Sequence, residues 1–127
     1  MSKILIVDDY SGTLETLKYI LESSGYKVKT LKNTLNIYRE IDEFNPDLLM
    51  LDLLLEGEDG RQICKNLKTG FEYRDLRILV FSAFSKRLEN YESYYADEFM
   101  EKPFELTELL GKIKSMMELQ LVPDHRQ

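Results

Sequence analysis

The chain has 127 residues, a net charge of −6, and 43% hydrophobic and 31% charged residues, which is the size and composition of one globular domain. No apolar run approaches the roughly 20 residues that span a bilayer, and the acidic balance argues against direct nucleic-acid binding, because phosphate contacts supply most of that affinity. The single cysteine, Cys64, excludes an internal disulfide and favours a cytoplasmic location.

Short apolar runs alternate with helical periodicities along the chain. In chain order they predict a strand at 4–7, a helix with Leu14, Leu17, Ile20 and Leu21, a strand at 26–31, a helix with Leu35, Tyr38 and Ile41, a strand at 48–52, a helix with Ile63 and Leu67, a strand at 77–82, a helical stripe of Leu88, Tyr91 and Tyr95, a strand at 98–100, and a closing helix from Leu106 to Met117. The helical spacing favours core positions for Tyr91 and Tyr95 and an exposed position for Tyr94. Residues 122–127 are predicted to be a frayed tail that follows a domain over residues 1–121.

Five βα units in succession predict an α/β fold, with an open, doubly wound parallel sheet and helices on both of its faces. Right-handed crossovers leave few topologies for such a sheet. Its ligand site lies beyond the carboxyl ends of the strands, where the strand order reverses. The residues at those ends are therefore the candidate functional residues.

Polar side chains stand at four of the five strand ends. Asp8 and Asp9 follow the first strand, Asp52 ends the third, Ser82 ends the fourth, and Lys102 follows the fifth. Three clustered carboxylates repel one another unless a cation compensates them, and such a hard oxygen site suits Mg²⁺. With a lysine and a hydroxyl nearby, the set predicts a cradle for a phosphoryl group, in which one carboxylate is the nucleophile.

Four motifs follow the predicted strands in order, namely the paired acids after the first strand, Asp52 followed by Asp59-Gly60, Ser82-Ala83, and Lys102-Pro103-Phe104. Together they resemble the response-regulator receiver domain of the CheY-like superfamily. The resemblance covers residues 3–119 and implies a flavodoxin-like sheet with the strand order 2-1-3-4-5. It also implies a protein of two-component or phosphorelay signalling that is not an enzyme, apart from its own phosphotransfer and slow autodephosphorylation.

The resemblance further implies a role for each strand-end residue. Asp52 is the phosphoacceptor, which takes a phosphoryl group from a phosphohistidine on a sensor histidine kinase or a histidine phosphotransfer protein. The implied Mg²⁺ ligands are Asp9 and Asp52 directly, Asp8 through water, and the backbone carbonyl of Leu54. Ser82 and Lys102 contact the phosphoryl group, and the Lys102-Pro103 bond is cis. Phe99 is the switch aromatic, whose rotation follows the state of Ser82.

Four positions depart from the pattern of that family. Glu56 stands where proline is common, which makes the loop after Asp52 acidic and more flexible. Leu54 and Phe84, each two residues past a site residue, are large and apolar. Tyr95 stands where glycine is usual, so that the fourth helix is expected to be short, shifted or irregular.

Two alternatives stay open beside a stand-alone phosphorylated receiver. One is a Mg²⁺-dependent aspartyl-phosphate phosphohydrolase, which Asp8-Asp9-Tyr10 does not fit, because such enzymes carry a second acid two residues after the nucleophile. The other is a receiver that only docks and accepts no phosphate, against which the complete set of acids, hydroxyl and lysine argues. We expect an unknown downstream protein target and neither nucleic acid nor membrane as a partner, and a homodimer is left open.

Overall fold

Five parallel strands form the central sheet of the computed structural model, which describes residues 1–121. They are β1 (Lys3–Val7), β2 (Lys27–Leu31), β3 (Leu48–Asp52), β6 (Arg77–Ser82) and β7 (Glu98–Glu101), and a small hairpin supplies β4 (Leu54–Leu55) and β5 (Glu58–Asp59). The sheet order is β2-β1-β3-β6-β7. This confirms the predicted order 2-1-3-4-5 once the hairpin strands are set aside.

The helices cover both faces of the sheet, as predicted. They are α1 (Ser11–Ser23), α2 (Ile37–Phe44), α3 (Gly60–Thr69), α4 (Ser85–Leu88) and α5 (Leu106–Leu121), with a 3₁₀ turn at Tyr91–Tyr94. Alternate residues of each strand point to opposite faces, so that α1 and α5 pack on Ile4, Ile6 and Met50, while α2, α3 and α4 pack on Leu5, Val7 and Leu51. Among the described residues no helix is long and apolar enough to cross a membrane.

Two details of the helical stripes differ from the prediction. In α2 the buried residues are Ile37 and Ile41, whereas Leu35 precedes the helix and both Leu35 and Tyr38 are exposed. Tyr94, the last residue of the 3₁₀ turn, is 6% exposed, and Tyr95, which follows the turn, is 49% exposed, so that the core and surface roles predicted for these two tyrosines are reversed. The tighter winding of the turn shifts the phase of its side chains, and the predicted tail over residues 122–127 lies outside the described residues.

The loop after Asp52 is more ordered than we predicted. Leu54–Leu55 and Glu58–Asp59 pair as an antiparallel hairpin around Glu56 and Gly57, and Gly57 has a φ of 75°, which a glycine adopts without strain. The Thr34 hydroxyl donates a hydrogen bond to the Glu58 carboxylate. The acidic loop is therefore a hairpin that is attached to the segment between β2 and α2.

A partly buried ion pair holds the amino-terminal edge of the sheet. The Lys68 Nζ of α3 lies 2.9 Å from Asp97 Oδ2 and donates to the Leu76 carbonyl at 2.8 Å. The same carboxylate oxygen accepts the Ile78 N–H at 2.8 Å. This pair links α3 to the segment that enters β7, on the edge opposite the strand ends that carry the candidate site.

The region between β6 and β7 is irregular, as the tyrosine at position 95 predicted. A one-turn helix and a 3₁₀ turn replace a regular fourth helix. Asn90 and Tyr95 have φ values of 53° and 68°, and a bulky residue in this left-handed region is strained.

Replacing Tyr95 by glycine should raise the free energy of unfolding by about 1 kcal/mol, because glycine adopts this backbone conformation without a Cβ clash. Urea unfolding monitored by circular dichroism measures the change. Tyr95→Ala is the control, since it removes the exposed ring but keeps the Cβ. An equal gain in both variants would show that the ring, and not the backbone, is the source of the strain.

Candidate functional site

Lys102 joins two buried carboxylates at the carboxyl edge of the sheet. Its Nζ lies 2.8 Å from Asp8 Oδ2 and 3.1 Å from Asp52 Oδ2. The remaining oxygens are also bonded, since Asp8 Oδ1 accepts the Tyr10 N–H and Asp52 Oδ1 accepts the Leu54 N–H, each at 2.9 Å. The Lys102-Pro103 bond is cis. Residues of three different strand ends thus form one hydrogen-bonded unit.

Asp9 completes a cluster of three carboxylates. It is exposed, and its Oδ2 accepts the Glu56 N–H of the hairpin at 3.0 Å. One carboxylate oxygen from each of Asp8, Asp9 and Asp52 lies within 4.8 Å of the other two. Three carboxylates and one ammonium leave two negative charges uncompensated, so that the donor set and its charge fit a divalent hard cation.

Burial and charge act in opposite directions on the ionisable groups of this site. Burial raises the pKa of Asp52, the nearby Asp8 carboxylate adds to the rise, and the Leu54 N–H and the Lys102 ammonium oppose it. Burial alone would lower the pKa of Lys102, but the bonds to Asp8 and Asp52 outweigh it and leave this pKa raised. The lysine therefore stays charged, while Asp52 is the acid that is costly to ionise without a metal.

The raised pKa of Asp52 predicts a pH dependence of stability in EDTA. The folded chain binds this proton more tightly than the unfolded chain, whose carboxyl titrates near 3.8. The contribution of Asp52 to the free energy of unfolding should therefore fall as pH rises from about 3.8 through the folded pKa. Asp52→Asn carries no such charge, so that its stability relative to the parent should grow across this window and then level off.

Urea unfolding at a series of pH values measures this difference, with Glu15→Gln on the exposed face of α1 as the control. A difference between Asp52→Asn and the parent that is constant with pH, or that shrinks as pH rises, would contradict the assignment.

Ser82 and Leu54 flank Asp52 on neighbouring segments. The Ser82 hydroxyl is buried and accepts the Phe84 N–H at 3.0 Å, and the Ser82 carbonyl accepts the Lys102 N–H at 2.8 Å. The Leu54 N–H donates to Asp52 and the Phe84 N–H donates to Ser82, while the side chains of Leu54 and Phe84 are exposed. The mouth of an otherwise polar site is therefore partly apolar.

Gly60, the first residue of α3, lies directly against the backbone of the Asp52 segment. A Cβ at this position would lie 2.6 Å from the Asp52 carbonyl oxygen and 2.7 Å from the Leu53 Cα. Asp59 caps the helix by accepting the Arg61 N–H at 3.0 Å, and also lies 3.4 Å from Arg87 of α4. The sequence motif Asp59-Gly60 marked this position, but the contact itself depends on tertiary packing.

Phe99 stands apart from the carboxylate cluster, at the edge strand of the sheet. Its ring is 37% exposed and lies 4.8 Å from the Tyr91 ring, centroid to centroid. The sequence placed Phe99 on the fifth strand correctly but gave no sign of its contact with Tyr91, which arises from the irregular segment before β7.

A groove of about 680 Å³ adjoins Lys102 on the side of α1. Thr13, Thr16 and Leu17 of α1 form one wall, and Pro103 and Phe104 form the other. The Tyr10 ring lies at its mouth, folded back over Gly12. This gives the candidate site an apolar approach from one side.

Comparison with known proteins identifies this arrangement. The profile of the response regulator receiver domain matches residues 4–114. The chain is 31% identical over 119 residues to the phosphate regulon transcriptional regulatory protein PhoB of Rhizobium meliloti, with 92% of this chain and 52% of PhoB covered. It spans about half the length of the curated relatives it matches.

Two solved structures show the same fold at 30% identity. A putative response regulator from Chloroflexus aurantiacus has a TM-score of 0.83, with 92% of this chain and 98% of that chain covered. The response regulator TrrA of Thermotoga maritima, solved in complex with Mg²⁺-BeF, has a TM-score of 0.80, with 91% and 99% covered.

A receiver accepts a phosphoryl group and pairs with a sensor kinase, and it is not a classical enzyme that turns over a separate substrate. The phosphohydrolase alternative is therefore set aside. From its sequence profile, its sheet order and its strand-end residues, the chain belongs to the response regulator receiver domain family, the phosphoryl-accepting modules of two-component signalling.

Proposed function

We propose that Asp52 is the phosphoacceptor of this receiver and that Asp8, Asp9 and Asp52, with the Leu54 carbonyl, hold Mg²⁺. The observation that carries the proposal is the convergence of three carboxylates and Lys102 at one edge of the sheet. Bound Mg²⁺ would neutralise the carboxylates and the oxygens of an incoming phosphoryl group. The Mg²⁺-BeF complex of TrrA supports this choice of ion.

In the proposed step an Asp52 carboxylate oxygen attacks the phosphorus of a phosphohistidine on a partner protein. The new bond joins this oxygen to phosphorus, and the bond from phosphorus to the imidazole nitrogen breaks, so that its electron pair stays with the imidazole. Lys102 turns from the carboxylate toward a phosphoryl oxygen, and the Ser82 O–H donates to another. Phe99 is the switch residue that follows Ser82.

The donor is a sensor histidine kinase or a histidine phosphotransfer protein, and the groove beside Lys102 is the approach for its helices. This pairing is consistent with the cytoplasmic location expected from the sequence. The receiver domain is proposed to cover residues 1–121, and its output is proposed to be contact with a protein target. Transcriptional regulation, which the name of PhoB states, is a property of that protein.

Labelling with acetyl phosphate in Mg²⁺ tests the proposal. We expect one acyl phosphate per chain, located by mass spectrometry on the peptide with Asp52 and absent from Asp52→Asn. If the parent takes no label, the phosphoacceptor proposal is wrong and the chain is a receiver that only docks. Label at another residue would refute the assignment of Asp52. Transfer from a phosphorylated histidine kinase would then establish the donor class.

The phosphorylated form should also lose its phosphoryl group slowly. Hydrolysis needs a water in line with the bond between Asp52 and phosphorus, and the exposed side chains of Leu54 and Phe84 neither orient such a water nor leave it free access. Leu54→Asn should shorten the half-life of the label by about tenfold or more. Decay of the label after removal of the donor measures it, with Leu35→Asn, exposed and away from the site, as the control.

A further inference from the structure

We propose that Tyr91 is a clamp that holds the switch residue Phe99 in its exposed position and so restrains activation of the receiver. The inference rests on the proposed function, since it concerns the regulation of the same site. It begins from the contact between the two rings, whose centroids are 4.8 Å apart with their planes tilted by 43°. Tyr91 acts through Phe99 and is a positioning residue.

The register of the sheet shows where Phe99 can go. Phe99 of β7 pairs with Val80 of β6, and Val80 faces the core beneath α2, α3 and α4. Ser82 follows two residues later and therefore lies on the same face, one diagonal step from Phe99. The Phe99 ring can thus lie outward against Tyr91 or turn along the sheet toward Ser82.

Contacts on two sides favour the outward position. Tyr91 packs on one side, and the Lys112 Nζ lies 5.6 Å from the Phe99 ring centroid. Lys112 is itself fixed by Glu98 at 3.2 Å. When Phe99 turns inward, its ring loses the contacts with Tyr91 and Lys112. Phosphorylation offsets this loss by moving the Ser82 hydroxyl toward the phosphoryl group, which leaves space for the ring.

The irregular segment before β7 holds Tyr91 in place. Tyr91 is half-buried against the core cluster that also contains Leu88 and Tyr94, and its carbonyl accepts the Ala96 N–H at 3.2 Å. The Tyr94 hydroxyl donates to the Arg87 carbonyl at 2.8 Å, which closes the segment on itself. The strained Tyr95 therefore belongs to the turn that directs the Tyr91 ring onto Phe99.

Binding of beryllofluoride in excess Mg²⁺, measured by calorimetry, tests the clamp. Removing the ring contact should tighten binding about threefold to tenfold, the range expected for one aromatic pair. Tyr91→Ala and Tyr91→Leu should both show this gain, and Tyr91→Leu decides the result if the alanine variant does not fold. Tyr91→Phe keeps the ring and should match the parent, as should Tyr19→Ala, which removes an exposed ring from α1.

A second measurement separates the clamp from a merely structural role. In chains labelled with 4-fluorophenylalanine, the ¹⁹F resonance of Phe99, assigned with Phe99→Leu, should move in ligand-free Tyr91→Leu toward its position in the beryllofluoride complex. The clamp is wrong, and the proposed function stands, if the parent binds beryllofluoride while Tyr91→Leu keeps both the affinity of the parent and its ¹⁹F resonance. Failure of the parent to bind beryllofluoride overturns the proposed function and the clamp with it.

Discussion

Replacing Asp9 by asparagine should reduce Mg²⁺-dependent labelling of Asp52 by at least about a hundredfold, because the cluster loses the exposed carboxylate that is open to a metal. Asp8 is buried and both of its oxygens are hydrogen-bonded, whereas Asp9 has one hydrogen bond, from the Glu56 N–H. Without a neutralising cation, the carboxylate that attacks and the phosphoryl group that arrives repel each other.

The same variant should be slightly more stable than the parent in EDTA, since one of three neighbouring negative charges is gone. Asparagine still offers an oxygen to the Glu56 N–H, so that the hairpin contact is retained. Labelling with acetyl phosphate and urea unfolding measure the two effects, with Asp42→Asn as a control for the loss of a remote charge. Undiminished labelling of Asp9→Asn, or labelling of the parent in EDTA, would contradict the role of the metal.

Replacing Gly60 by alanine should lower the free energy of unfolding by about 3 kcal/mol or more, since backbone atoms surround the added methyl group. The Asp52 carbonyl oxygen would lie 2.6 Å from the new Cβ, and neither the helix nor the strand end can move without the other. The displacement falls on Asp52, the proposed phosphoacceptor, so that labelling should also slow. Urea unfolding and initial labelling rates measure the two effects.

Gly111→Ala is the matched control, because a Cβ there has no atom within 4 Å. Inside α5 that change should stabilise the chain by about 0.5–1 kcal/mol. If Gly60→Ala is as stable as the parent, the close approach of α3 to Asp52 is wrong.

The strand ends were predictable because they depend on local sequence. An apolar run with a polar residue at its end marks a buried strand, and Asp8, Asp52 and Lys102 each end or follow such a run. Parallel strands then bring these residues to one edge whatever the details of the helices. The convergence of the carboxylates with Lys102 follows from these two facts, whereas the sheet order was predicted from the resemblance to the receiver family.

Features that depend on contacts between distant segments were not predictable in this way. Helical spacing favoured Tyr95 over Tyr94 for the core, and the 3₁₀ turn reverses this choice because it changes the phase of the side chains. The hairpin at Leu54–Asp59 depends partly on Thr34, which lies in another loop. The contact of Tyr91 with Phe99 likewise requires the shape of the whole segment between β6 and β7.

The two ends of the sheet are held by different groups, and the ion pair between Lys68 and Asp97 lies at the end away from the candidate site. At the amino edge, the Ile78 amide is bonded to a carboxylate that no proposed step of phosphotransfer touches. At the carboxyl edge, the Lys102 N–H donates to the Ser82 carbonyl, and in the proposed phosphotransfer the side chains of both residues change partners. In hydrogen–deuterium exchange, deuterium should therefore enter the Ile78 amide only through global unfolding, at a rate independent of phosphorylation, and enter the Lys102 amide through local openings that phosphorylation suppresses.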